Sequence, residues 1–284
     1  MRIKEYKLKH HSFAFFRSFM PPLGKDTLHG PESHRRFEII YVVQGEAKYT
    51  IEDEQYLVSK GDVIFVMPDE LHSLLINRKA EFERILVYFD FDVLRKMFAA
   101  AEIEIDDTFF ALRRVNRIIP DRLVSKYGIK DTIYDIADIA PEDKNACFRF
   151  MSLMFDLIIR LNSSASDQGE AILPISKDPT VKGVIDYVDA HISKPISLDD
   201  IAGHLFLSKS ALCHRFSRHM KITVNRYVAI KKIHYAEELI RGGMSATEAA
   251  FAAGYNHYTT FYHNYKQIMG TFPTASEGEK NKKF

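Results

Sequence analysis

The strongest restriction on this chain is a repeat in its last hundred residues. The stretch SLDDIAGHLFLSKSALCHRF at 197–216 is echoed by SATEAAFAAGYNHYTTFYHNY at 245–265. Forty-eight residues separate Ala202 from Ala250, Phe206 from Gly254 and Leu207 from Tyr255. Past the corner the offset becomes forty-nine, pairing Leu212 with Phe261, Phe216 with Tyr265 and Met220 with Met269. Ser197 and Ser245 stand where a hydroxyl accepts from the free N–H groups of a first helical turn. Small Ala202 and Ala250 let a second helix cross closely, and Gly254 suits a left-handed helix end. Phe206 has to make the same corner with a side chain. Apolar spacing through Tyr227, Ile230, Ile233, Ala236, Leu239 and Ile240 predicts one helix over about 224–241 that joins the two copies. Two helix-turn-helix units in tandem are the structure this pattern permits, and such units dock their second helix in a DNA major groove.

Charge opposes that reading at first, because the formal net charge is only +1. The distribution removes most of the objection. Residues 180–284 carry 14 Lys and Arg against 9 Asp and Glu, leaving the remainder of the chain with a net −4. A basic C-terminal module beside an acidic N-terminal one suits a nucleic-acid partner for the former.

A chain of 284 residues exceeds a typical single core, so more than one domain is expected. No stretch approaches eighteen apolar residues, so no membrane contact is expected, and the basic start lacks the pattern of a signal peptide. Two cysteines, Cys147 and Cys213, make no disulfide framework, which suits a cytoplasmic protein. From Phe37 to Phe89 the runs FEIIYVV, KYTI, YLV, DVIFV and FERILVYF, punctuated by turn residues, predict a small antiparallel barrel or sandwich. LRKMFAAAEI, FFALRRVNRII and DKNACFRFMSLMFDLIIRL then space apolar residues by three and four, predicting helices. In the last of these, Phe148, Met151, Phe155, Ile158 and Ile159 form one broad stripe, read either as packing on the barrel or as a dimerisation face. NSSASDQGEA with Pro174 and Pro179 has linker composition.

Residues 180–275 resemble the double helix-turn-helix domain of the AraC/XylS family of bacterial transcription regulators. HRRFEIIYVVQGE with GDVIFVMPDELH resembles the cupin-like barrel that many members carry as a sensor. The fold class is therefore α+β: an N-terminal cupin-like antiparallel β-barrel followed by helices, then an all-α domain with two helix-turn-helix units joined by a long helix. The boundaries read as barrel 1–95, helical and dimerisation region 96–164, linker 165–179, DNA-binding domain 180–275 and charged tail 276–284. The resemblance implies a cytoplasmic, sequence-specific regulator of promoter DNA, a homodimer and no enzyme. It also implies activation through RNA polymerase and control by a small-molecule effector, with sugars frequent. The chain departs from the family at Lys221 and Val224, where Gly and Pro are usual. Its second recognition helix has Tyr262, His263 and Tyr265 in place of Phe and basic residues.

Helix geometry with Leu212 and Phe216 inward turns Ser210, Cys213, His214 and Ser217 outward, with Arg218 at the edge. Burying Phe261 and Tyr265 likewise exposes Thr259, Tyr262, His263 and Lys266. The family's base-reading positions fall on Ser210, Cys213, His214, Tyr258, Thr259 and His263. Histidine suits a guanine acceptor and the Thr259 methyl a thymine methyl. Lys209, Arg215, Arg218 and Lys266 are the expected phosphate contacts.

In the barrel, His34 and Glu38 keep the His-x-x-x-Glu spacing of metal-binding cupins, and His72 stands where a later ligand would be. Glu32 replaces the further histidine. These side chains have the chemistry for Zn, Mn or Fe. Barrels of this family usually lack metal, so the expectation is no metal, no cofactor and an effector pocket of Phe15, His34, Glu38, Tyr41 and His72. The rival readings are a cupin-type metal-binding protein or enzyme with a vestigial helical domain, and a helical adaptor.

Overall fold

The structure, a computed structural model, describes residues 2–8, 11–22, 24, 26–77, 79–90, 117–140, 142–165, 167 and 172–273. It divides into two compact units, Met1–Ser176 and Lys177–Phe284.

The first unit is built on antiparallel strands β1 (Arg2–Leu8), β2 (His11–Met20), β3 (Thr27–Glu32), β4 (Arg36–Gln44) and β5 (Glu46–Ile51). They are followed by β6 (Glu54–Ser59), β7 (Val63–Val66), β8 (His72–Ile76), β9 (Phe82–Asp90) and β10 (Ile118–Ile119). One sheet runs β1-β2-β9-β4-β7-β10, and the other contains β6-β5-β8-β3. The two are open, facing sheets of the cupin-like kind. Ile40, Val42, Ile64, Val66, Phe82 and Leu86 of the first meet Ala47, Tyr49, Tyr56, Val58, Leu74 and Ile76 of the second in one interior core.

The opposite face of the first sheet is buried as well. Phe15, Phe37, Ile39, Tyr41, Phe65, Ile85 and Val87 pack against helices α1 (Asp121–Lys126), α2 (Ile129–Ala137) and α3 (Ala146–Ala165). A sheet covered on both sides reads as unbroken apolar runs such as EIIYVV and VIFV instead of alternation. Strands β1 to β3 precede the region whose composition reads as β. The edge strand β3, TLHGPE, has no Val or Ile and carries Gly30 and Pro31, so it lacks the usual signal.

Two helical expectations need correction or relocation. The helix expected over LRKMFAAAEI and most of FFALRRVNRII lies outside the described residues. Where that second run becomes visible it is extended: Ile118 and Ile119 pair with Ile64 and Val63. Helix α3 does form, but its buried stripe is Phe150, Met154, Leu157, Ile158 and Leu161. Of the proposed dimerisation residues, Ile158 thus belongs to the internal core, and Met151 and Phe155 are half-buried. Phe148 and Ile159 point outward, 79% and 60% exposed.

The second unit contains α4 (Pro179–Ala190), α5 (Leu198–His204), α6 (Lys209–Met220), α7 (Val224–Arg241), α8 (Ala246–Ala252) and α9 (Tyr258–Met269). Ser197 and Ser245 each close a capping box, with Asp200 and Glu248 returning the bond to the cap N–H. The corners match bond for bond. Phe206 and Leu207 N–H donate to Gly203 and Ala202 carbonyls, while Gly254 and Tyr255 N–H donate to Phe251 and Ala250. Both are left-handed helix ends of the same kind. Gly254 takes φ +70 without strain, but Phe206 takes φ +54 with a ring that is 95% exposed and repays nothing by packing. Replacing Phe206 with glycine is therefore expected to raise stability by about 1 kcal/mol, read as a higher urea midpoint at unchanged slope. A lower midpoint would show that the Phe206 ring makes a stabilising contact.

Candidate nucleic-acid interface and ligand site

Helix α6 starts at Ser208, whose hydroxyl accepts from the Ala211 N–H at 3.2 Å. Leu212, Phe216 and Met220 turn inward, and the Phe216 ring lies 5.4 Å from Tyr227 on α7. The remaining face carries Ser210, His214, Arg215 and Arg218 exposed, with Cys213 and Ser217 half-buried. Helix α9 repeats the arrangement. Phe261 and Tyr265 enter a core with Ile233, Ala236, Ala249 and Ala250, while Thr259, His263 and Lys266 are exposed. Tyr262 and Tyr258 are half-buried, and the Tyr258 ring packs 5.6 Å from Phe261, so this expected reader is also a core residue.

The cations flanking these faces are partly engaged. Lys209 Nζ lies 2.9 Å from Asp199, Arg215 reaches Thr180 Oγ1 at 3.4 Å, and Lys266 sits 5.2 Å over the Phe272 ring. Exposed pairs of this sort are weak and readily exchanged for a phosphate.

One residue that positions both copies escaped the sequence reading. Lys232, on the buried stripe of α7 between Val228 and Ala236, donates to the carbonyls of Lys194, Ala253 and Gly254 at 2.6, 2.7 and 3.2 Å. A lysine four residues from apolar positions on either side was the available signal. Burial pushes its pKa down to about 8, and the three carbonyl oxygens accept hydrogen bonds from the ammonium.

In the first unit, alternation along β4 decides what faces the interior between the sheets. Glu38, Ile40 and Val42 point inward, whereas Phe37, Ile39 and Tyr41 point to the helices. Register then brings His72 of β8 and His34, from the turn before β4, onto Glu38. Glu38 Oε2 is 3.3 Å from His34 Nε2 and 3.2 Å from His72 Nε2, and Glu32 Oε1 is 3.8 Å from the latter. Burial alone would raise the Glu38 pKa, but the two imidazoles outweigh it and hold the carboxyl well below the usual range. For His72, burial opposes the charged form, and the Glu38 carboxylate reverses that, raising the imidazole.

His34, Glu38 and His72 thus come together, and Phe15 and Tyr41 do not join them. Phe15 lies in the core under the helices, and the Tyr41 ring meets Tyr134 at 5.9 Å. The residues that do surround the cluster were not singled out. Tyr88 lies 5.3 Å from the His34 ring and pairs with Glu38 across β9. Tyr49 stacks on His72 at 6.5 Å and is hydrogen-bonded by Arg84. Burial pushes both phenols upward. Period-two reading of β9 places Arg84 and Tyr88 on one face, which was the usable signal. This interior offers aromatic faces, two imidazoles, a guanidinium and carboxylates, the make-up of a site for a small polar ligand.

Comparison with known proteins agrees with both halves. Residues 24–118 match the family described as an AraC-like ligand binding domain, and residues 201–276 match a helix-turn-helix domain family. The chain is 24% identical over 263 residues to the HTH-type transcriptional activator RhaS of Salmonella schwarzengrund, covering 89% of this chain and 91% of that one. It is 22% identical over 229 residues to the HTH-type transcriptional regulator YbfI of Bacillus subtilis, covering 78% of each. Among solved structures, ToxT of Vibrio cholerae aligns over 92% of this chain and 95% of that chain, with 13% identity and a TM-score of 0.39. Among the described residues no helix is long and apolar enough to cross a membrane. An AraC-like ligand binding domain and a helix-turn-helix domain matched in one chain carry the conclusion: the protein has the domain pair of the AraC-type DNA-binding transcription regulators.

Proposed function

We propose that the protein is a cytoplasmic activator that binds paired promoter half-sites as a homodimer and responds to a small polar effector in the sheet interior. The observation that carries this is the pair of exposed recognition faces on α6 and α9, each following a helix with a matching capping box, α5 and α8, in the basic unit. Activation is supported by the name of the relative RhaS, and it would require contact with RNA polymerase. A homodimer is supported by the outward Phe148 and Ile159, an apolar pair on one helix that its own core leaves uncovered. A sugar is the favoured effector class, because Tyr49, Tyr88, Arg84 and the histidines combine ring faces with convergent hydrogen-bond groups. Ser210, Cys213, His214, Tyr258, Thr259 and His263 read bases, and Lys209, Arg215, Arg218 and Lys266 hold phosphates.

Footprinting on the DNA upstream of the protein's own gene, at stated salt, tests the reading. Two protected half-sites are expected; one alone removes the dimer, and protection without sequence preference removes the regulator. Two variants then separate the roles. His214→Ala is expected to lose about 1–3 kcal/mol at one base pair only. Lys209→Ala should weaken all sequences alike and reduce the salt slope by about one. Equal weakening of every site by both variants would remove His214 from the base readers.

A further inference from the structure

Among the described residues, one group of three His, Cys, Asp or Glu side chains brings its donor atoms within 4.8 Å of one another: His34, Glu38 and His72. The hydrogen bonds behind the rings fix what these atoms can do. His34 Nδ1 lies 3.1 Å from the Arg36 carbonyl, and His72 Nδ1 lies 3.0 Å from the Glu70 carbonyl. A carbonyl only accepts, so both Nδ1 atoms carry hydrogen, and in the neutral rings both Nε2 atoms present lone pairs. Those lone pairs converge on Glu38 Oε2, itself an acceptor. The cluster is satisfied either by imidazole protons, which hold the Glu38 carboxyl low, or by a metal ion at its centre, toward which the three atoms all point as donors.

The distances suit a small metal ion. A charge-assisted N–H···O contact closes to about 2.7–2.9 Å, but both nitrogens stand 3.2–3.3 Å from the carboxylate oxygen. Ligands bound to one ion at about 2.0–2.2 Å lie about 2.8–3.1 Å apart at octahedral right angles and about 3.3–3.6 Å apart in tetrahedral geometry, and the two contacts fall between these ranges. The Glu38 and His72 side chains are 1% and 2% exposed, and His72 Nε2 faces the Glu38 and Glu32 carboxylates without a well-aligned hydrogen bond. Backbone carbonyls that orient ligating imidazoles are the usual outer support of a metal centre. The open side is bordered by His34, 26% exposed, and by Glu32, whose carboxylate is 3.8 Å from His72 Nε2. With Glu38 it supplies two negative charges against a divalent ion.

We propose that His34 Nε2, His72 Nε2 and Glu38 Oε2 bind a first-row divalent metal ion, Zn²⁺, Fe²⁺ or Mn²⁺, with Glu32 or a ligand oxygen completing the shell. This departs from the sequence expectation of no metal. It deepens the reading of the sheet interior as the ligand site and rests on that reading for its regulatory meaning.

The full chain, stripped with a chelator and dialysed, is titrated with ZnCl₂ and MnCl₂ by calorimetry, with elemental analysis of the product. One ion per chain is expected, together with a rise in melting temperature. Glu38→Gln and His34→Ala should each weaken that ion by at least about 100-fold. His34→Ala truncates the most exposed of the three side chains, and circular dichroism of the metal-free variants checks that they fold. No stoichiometric binding by the stripped wild-type chain, or equal affinity in a folded His34→Ala variant, overturns the proposal. Promoter affinity is measured separately with and without the ion. Site-dependent binding that leaves promoter affinity unchanged supports the metal site and removes its part in effector sensing.

Discussion

Replacing Gly254 with alanine is expected to cost the second unit about 2–5 kcal/mol, read as a fall in denaturant midpoint and a loss of promoter binding. Two costs combine at this position. Gly254 holds φ +70, where a Cβ is disfavoured by roughly 1–2 kcal/mol. The Cβ would also overlap the Lys194 carbonyl group, which is backbone and cannot rotate away, and would stand 2.6 Å from Lys232 Nζ. Relieving such overlap costs about 1–3 kcal/mol. The matching corner in the first copy accepts phenylalanine because Phe206 projects into solvent. Two positions related by the repeat should thus respond in opposite directions, Phe206→Gly up and Gly254→Ala down. A loss below about 1 kcal/mol for Gly254→Ala would mean that the corner sits looser than described.

Lys232→Met should be nearly as damaging, at about 3 kcal/mol. Methionine keeps the length and apolar stem but leaves three carbonyl oxygens without their donor. Two belong to the end of α8 and one to the segment before α5, so a single ammonium ties both helix-turn-helix units to the joining helix. Thermal melting reads the stability, and promoter titration reads the second consequence, binding reduced toward the non-specific level as α9 loses its seat. Because Gly254 and Lys232 meet at one point, the double variant should lose less than the sum of the two single losses. Full additivity would show that they act independently.

The second unit was the more legible half because it is written twice. Caps, corners and buried pairs could be checked against their own copies, and α7 occupies Val224–Arg241, the range its spacing predicts. Lys232 was hidden because a lysine on an apolar stripe reads as a side chain reaching for water. In the first unit the Val- and Ile-rich strands were legible, and the edge strand β3 was not, since an edge strand has no need of those residues. The ligand site was half legible. His34, Glu38 and His72 follow from spacing and register, but Tyr41 stands three residues from Glu38 on β4, and an odd step along a strand reverses the face. Phe15 falls with Tyr41 for the same reason, being registered to Val87 and through it to Ile39.

Strand β4 is in this sense a partition one residue thick. Glu38 faces the ion-seeking interior, and its chain neighbours Phe37 and Ile39 face the helical layer. The Phe37 ring is stacked 4.9 Å from Phe89 and lies 5.7 Å from Phe65 within the core that carries α3. Close-packed cores do not absorb displacement. Drawing the Glu38 backbone inward to meet a bound species must therefore pull Phe37 and Ile39 against the packing of the helices. A species that moved the Glu38 main chain would thus act on the helical layer through main-chain position alone, across the width of one strand and without a hinge.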